Sequence, residues 1–173
     1  MVMLLAAGCG SSTAERGPPI ERTFDIDWHD RASAQKIEYT ARQIVFHHGR
    51  WSARITLHNG TDKLLYPAPW KPSDSNGLTW NGPALVYSGV DVLGNRRLIY
   101  VPADSATPEM PFPLARGATW RSTVSGKVPA RPALPRGNKI WLRYSVVVAG
   151  MPYAEAAGNG DKVDWISDKA VVL

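Results

Sequence analysis

Hydrophobic and polar residues alternate with a period of two along much of the chain. Trp51, Ala53, Ile55 and Leu57 take every second position of one run, and similar runs cover residues 120–126 and 140–148. This is the period of a β-strand that buries one face. The runs therefore predict half-buried strands. Five shorter segments are further candidates, at residues 23–27, 37–46, 84–87, 97–101 and 169–173.

Turn-forming residues separate these runs. Asn59-Gly60, Asn76-Gly77, Gly94-Asn95, Arg116-Gly117 and Gly137-Asn138 are typical of tight turns. No long segment has helical spacing, and only residues 30–35 and 153–157 are candidates for single helical turns. Many short strands without alternating helices favour an all-β fold. We expect an antiparallel β-sandwich of about seven to nine strands, with a closed barrel as the second choice.

Composition limits the classes of function. The 173 residues fit one domain, and a chain of this length can fold without a disulfide or a metal. The 20 Lys and Arg against 15 Asp and Glu give a net charge of +5. No run of five or more like charges occurs, which argues against a nucleic-acid partner. We expect a solvated basic surface, and weak attraction to an anionic lipid or cell-wall polymer is the functional alternative.

The amino terminus is an apolar run that ends in small residues and the only cysteine. Leu4-Leu5-Ala6-Ala7-Gly8-Cys9 resembles the lipobox of bacterial lipoproteins, with Ala6 at the position where leucine is most frequent. The resemblance implies cleavage before Cys9, lipid on its sulfur and acylation of the new amino terminus. No Lys or Arg precedes the run, so we expect a truncated signal peptide.

The domain organisation follows from this resemblance. Residues 1–8 are a signal peptide, 9–20 a lipidated cysteine and flexible tether, and 21–173 the sandwich. The tether is rich in small and polar residues and in proline. The resemblance implies a membrane-anchored protein of the cell envelope. Gly10 follows the cysteine, where an aspartate would, in many diderm bacteria, retain the protein in the inner membrane. An outer-membrane location, on the periplasmic face or the cell surface, is therefore expected if the host has an outer membrane.

Four turn segments resemble those of immunoglobulin-like modules from bacterial envelope proteins. They are Asn59-Gly60-Thr61-Asp62-Lys63 after a strand, Asp91-Val92-Leu93-Gly94 before a strand, Leu114-Ala115-Arg116-Gly117 with Arg116 where proline is usual, and Leu134-Pro135-Arg136-Gly137. The resemblance implies an immunoglobulin-like sandwich. Some such modules are proteinase inhibitors, and many are adhesive or assembly domains.

The sequence offers no constellation typical of catalysis or of metal binding. It has no G-x-S-x-G, no phosphate-binding glycine motif and no H-x-x-x-H or C-x-x-C spacing. His47 and His48 are neighbours, and in a strand they would point to opposite faces. We therefore expect surface histidines, no metal, no cofactor and no enzymatic activity.

The segment from residue 66 to residue 82 combines aromatic residues with prolines. Tyr66, Trp70, Lys71 and Trp80 are its candidate binding residues, because aromatic side chains on a stiff loop suit a sugar or a protein partner. The alternative is a structural flap whose indoles are buried. The chain is thus predicted to be a lipid-anchored binding or assembly module. A proteinase inhibitor is the alternative, and a carbohydrate-binding module that uses Trp70 and Trp80 is the third possibility.

Overall fold

The computed structural model describes residues 20–32, 36–67, 82–90, 94–111, 113–129, 134, 136–149 and 161–173. In these ranges the chain is all-β, as predicted. The strands are β1 (Arg22–Ala32), β2 (Ile37–His47), β3 (Arg50–Asn59), β4 (Leu64–Pro67), β5 (Ala84–Val90), β6 (Arg96–Pro102), β7 (Ser105–Thr107), β8 (Thr119–Lys127), β9 (Lys139–Ala149), β10 (Asp161–Ile166) and β11 (Val171–Val172).

The strands form two antiparallel sheets. One has the order β1-β2-β3-β8-β7, and the other has the order β10-β9-β5-β6, with β4 and β11 also paired to β9. Residues from both sheets contribute to a single hydrophobic core. Tyr39 of β2 and Tyr144 of β9 stack across it, with ring centroids 5.2 Å apart. The predicted β-sandwich is thereby confirmed.

The period-two pattern predicts burial correctly. Trp51, Ile55 and Leu57 are buried, and so are Leu142, Tyr144 and Val146 of β9. Arg54 is exposed between them. Arg143 of β9 is half-buried, and its guanidinium lies over the Tyr100 ring, 5.1 Å from the centroid. Burial of hydroxyl groups in this core raises the pKa of Tyr39 and Tyr144 by desolvation.

The strand count exceeds the predicted seven to nine because short strands escape a periodicity search. β7 has three residues and β11 two, which is too few for a period to show. β4 is the unbroken apolar run Leu64-Leu65-Tyr66 followed by a proline. The prediction of a helical turn at residues 30–35 is wrong for residues 30–32, because β1 continues to Ala32 in register with β2. Residues 153–157 lie outside the described ranges.

Strand β3 ends at a buried asparagine that joins two turns. Asn59 is 0% exposed, and its Nδ2 lies 2.9–3.1 Å from the carbonyl oxygens of Lys63, Leu114 and Ala115. Its Oδ1 accepts hydrogen bonds from the Thr61 amide at 3.1 Å and the Thr61 hydroxyl at 2.7 Å. Two of the segments that resemble immunoglobulin-like modules therefore meet at one side chain.

Candidate functional site

Most of the residues predicted to carry function fall outside the described part of the chain. Cys9 belongs to residues 1–19, and Trp70, Lys71 and Trp80 belong to residues 68–81. Tyr66 is the one member of the predicted loop that is described. It lies in β4, not in a loop, and is 3% exposed. In this structure Tyr66 therefore offers no contact surface.

The four histidines lie at three places on the five-stranded sheet. On β1, the exposed His29 Nε2 is 2.8 Å from Asp27 Oδ1, and His58 Nδ1 is 2.9 Å from the Thr119 hydroxyl. The rings of His47 and His48 lie side by side, with centroids 3.7 Å apart. The prediction that these two point to opposite faces of a strand is wrong. β2 ends at His47, and His48 lies in the following turn with a φ of 48°.

A carboxylate joins this pair of histidines. Oε1 of Glu21 accepts a hydrogen bond from the His48 backbone N–H at 2.8 Å, and Oε2 forms a short hydrogen bond with His47 Nδ1. These contacts, the backbone hydrogen bond most, lower the pKa of Glu21. Sequence spacing conceals the cluster, because 26 residues separate Glu21 from His47. Only the pairing of β1 with β2 brings them together.

A wider polar site lies on the outer face of the same sheet. A groove of about 780 Å³ is lined by residues of strands β1, β2, β3, β8 and β7. Three exposed arginines line it, one from each of the adjacent strands β2, β3 and β8, namely Arg42, Arg54 and Arg121. Four threonines also line the groove, namely Thr40, Thr56, Thr107 and Thr123.

Strand register explains why these arginines meet. Arg54 pairs with Thr123, and Thr56 pairs with Arg121. The two arginines are therefore diagonal neighbours on one face, a relation that places Cβ atoms about 7–8 Å apart or slightly less. Arg42 occupies an irregularity between Ala41 and Gln43. Such a bulge re-aims a side chain, and here Arg42 is exposed and Gln43 half-exposed in succession.

The groove carries more positive than negative charge. Asp25 is the carboxylate among its lining residues, and its Oδ1 accepts a hydrogen bond from Gln43 Nε2 at 3.2 Å. Within the described ranges, no ion pair joins Arg42, Arg54 or Arg121 to an acidic side chain. With respect to the described part of the chain, the three guanidinium groups are thus available to an external anion.

This donor set suits carboxylate or phosphate groups. A guanidinium binds either one through two parallel N–H donors, and the neighbouring threonine hydroxyls can donate to the remaining oxygens. The sequence places Arg54 and Arg121 correctly at polar positions of their strands. Their convergence with Arg42 follows from long-range register and from the bulge, neither of which the alternation reveals.

Comparison with known proteins assigns the chain to no group. No protein-family model, no curated protein and no solved structure matches it. Over the described ranges, no helix has the length and apolar character needed to cross a bilayer.

Proposed function

We propose that this chain is a lipid-anchored module of the cell envelope that binds an anionic polymer through the outer face of its five-stranded sheet. The observation that carries the proposal is the grouping of Arg42, Arg54 and Arg121 in one groove without an ion pair among described residues. The resemblance of four turn segments supports an immunoglobulin-like sandwich as its scaffold. The sequence contains no residue pattern typical of a catalytic site that would support an enzyme.

A polymer suits the groove better than a single small anion. The groove is open and is lined by residues of five strands, so its contacts are exposed and individually weak. A chain of repeated phosphate or carboxylate groups makes several such contacts at once, and later contacts benefit from the high effective concentration created by the first. The net charge of +5 adds long-range attraction.

The anchor places the module next to such polymers. The resemblance of residues 4–9 to a lipobox supports lipid on Cys9, and the first strand begins only at Arg22. Cys9→Ser removes the sulfur that would carry the lipid. This variant should leave the membrane fraction, and its recovery with membranes at the parent's level would contradict the anchoring part of the proposal.

Binding is tested with polyphosphate and the full chain carrying Cys9→Ser. In that background, Arg42→Gln, Arg54→Gln and Arg121→Gln are combined. Each exposed contact contributes about 0.5 kcal/mol, so the triple variant should bind about tenfold more weakly. The matched control combines Arg96→Gln, Arg116→Gln and Arg136→Gln, all exposed outside the groove. It removes the same charge and should retain most of the affinity.

The two triple variants separate a site from general charge. Equal weakening in both would show that only net charge attracts the polymer, and the groove would lose its assignment. Full affinity in the groove variant would refute the proposal outright. Glycan binding would depend on Trp70 and Trp80, and proteinase inhibition on long proline-bearing loops, of which residues 66–82 form one. Since residues 68–81 lie outside the described ranges, no contact of the structure favours either one.

A further inference from the structure

We propose that Glu21, His47 and His48 form a binding site for a divalent transition-metal ion, Zn²⁺ or Cu²⁺, at the tip of the β2–β3 hairpin. The site lies apart from the arginine groove and does not depend on the function proposed for it. Each of the three residues offers one ligand atom, and these atoms all lie within 4.8 Å of one another.

The hairpin turn explains why two adjacent histidines converge. His48 and Gly49 are its central residues, with φ values of 48° and 70°. A two-residue hairpin with both central residues at positive φ usually contains asparagine, aspartate or glycine. Histidine at such a position is uncommon. Here the left-handed backbone turns the His48 ring back beside the His47 ring, 3.7 Å away.

Strand pairing supplies the third ligand and orients it. Glu21 immediately precedes β1, whose first residue Arg22 pairs with Phe46, so the carboxylate reaches the end of β2. The hydrogen bond from the His48 backbone N–H holds Oε1, and Oε2 is left directed at His47 Nδ1. A ligand fixed by a backbone hydrogen bond is the usual arrangement around protein metals.

The arginines that adjoin the site are engaged elsewhere. The guanidinium of Arg22, which follows Glu21, lies over the Phe24 ring, 4.8 Å from its centroid. Arg50 pairs with His47 across the hairpin, but its guanidinium contacts the Asp104 carboxylate and lies 3.3 Å from the Ser125 hydroxyl. Its charge is therefore compensated on the β8 side. The carboxylate of Glu21 faces the two imidazoles without a competing salt bridge to a lysine or an arginine within the described ranges.

Two imidazoles and one carboxylate suit ions of the zinc and copper type. Zn²⁺ takes such ligands at about 2.0–2.2 Å and accepts water at the remaining position, whereas Mg²⁺ and Ca²⁺ prefer oxygen ligands. Ligands at that distance lie roughly 3 Å from one another, and rotation of exposed side chains can close the present separations. The ion replaces any proton on the ligating atoms, so binding releases protons to solvent.

The alternative role of the cluster is to cap the turn by hydrogen bonds alone. His48→Asn distinguishes the two, because asparagine suits the turn better than histidine and removes a ligand. Glu21→Gln removes the carboxylate charge and keeps the side-chain shape. His29→Asn is the matched control, since it removes an exposed imidazole that lies 2.8 Å from the Asp27 carboxylate without a second histidine.

The test is calorimetric titration of the full chain, prepared without a histidine tag and with Cys9→Ser to remove the thiol, with Zn²⁺ and then with Cu²⁺. We expect one ion per chain. His48→Asn and Glu21→Gln should each weaken binding about tenfold or more, with the metal-free melting temperature unchanged for His48→Asn and only slightly lowered for Glu21→Gln, and His29→Asn should bind as the parent does. Absence of saturable binding, unchanged affinity in His48→Asn, or equal weakening by His29→Asn would overturn the proposal.

Discussion

The two ends of strand β3 both carry polar clusters, and the clusters differ in burial. Asn59, at one end, is 0% exposed, and both polar atoms of its amide are occupied by neighbouring turns. At the other end, Glu21, His47 and His48 are exposed. Buried polar groups must find partners within the protein, whereas exposed ones can exchange theirs with water or a ligand.

This difference separates groups that hold the fold from groups that are free to bind. The Asn59 contacts join the turn after β3 to the turn before β8. The hairpin contacts join side chains that water already reaches. The arginine groove lies between the two ends, on the outer face of the same strand, and shares the exposed character of the hairpin.

The largest expected effect is at the buried end. Asn59→Ala removes every hydrogen bond of the Asn59 amide. The carbonyl oxygens and the Thr61 donors that contact this amide lose their partner. Each buried group without a partner costs about 1–3 kcal/mol. We expect a loss of about 3–5 kcal/mol in the free energy of unfolding, measured by denaturant titration.

Asn138→Ala is the control for this change. Asn138 Nδ2 donates to the Ser88 carbonyl oxygen at 2.5 Å from a half-exposed position, so its loss should cost about 1 kcal/mol. If the two variants lost equal stability, the buried hydrogen bonds of Asn59 would contribute no more to the fold than the half-exposed hydrogen bond of Asn138.

A smaller loss is expected where backbone packing near the hairpin end is tight. Gly126 of β8 pairs with Trp51, and a Cβ on it would lie 2.1 Å from the Pro102 carbonyl oxygen and 2.6 Å from Trp51 Nε1. Gly126→Ala should destabilise by about 1–3 kcal/mol, as overpacking does. Gly82→Ala, where a Cβ meets nothing within 4 Å, should leave the melting temperature unchanged. If Gly126→Ala left the stability unchanged, the backbone at Gly126 would have to lie farther from Pro102 and Trp51 than in this structure.

The smallest effect is expected at the exposed hairpin end, and it depends on pH. The pKa of Glu21 is lowered from 4.5, mainly by the His48 backbone hydrogen bond. Ionised Glu21 therefore stabilises the fold above its ordinary pKa, and this contribution disappears as the pH falls through the lowered value. Glu21→Gln should thus melt slightly below the parent at neutral pH and together with it in strong acid. A difference that persists at every pH would contradict the electrostatic origin.

The burial pattern of the sandwich is predictable because it is a local property. Trp51, Ile55 and Leu57 show their buried face through alternation alone, and Asn59-Gly60 marks the end of the strand. Strand β4 is not predictable in this way, because the unbroken apolar run Leu64-Leu65-Tyr66 does not alternate. Strand β7 is not predictable either, because three residues are too few to show a period.

The sites are less predictable because they depend on long-range pairing. Thr56 pairs with Arg121 only once β3 and β8 are in register. Glu21 meets His47 through the pairing of β1 and β2. The positive φ of His48 also breaks the rule that neighbours in a strand face opposite ways. The contact between the His47 and His48 rings is therefore not predictable from their adjacent positions in the sequence.

The outer face of the five-stranded sheet is the surface on which the proposed function depends most directly. It is tested by a ¹H–¹⁵N NMR titration of the full chain carrying Cys9→Ser with polyphosphate. The account predicts the largest shifts at the backbone amides of Thr40, Thr56 and Thr123 and at the Nε–Hε group of Arg54. Shifts concentrated in residues 68–81, or spread equally over Arg96 and Arg136, would contradict it.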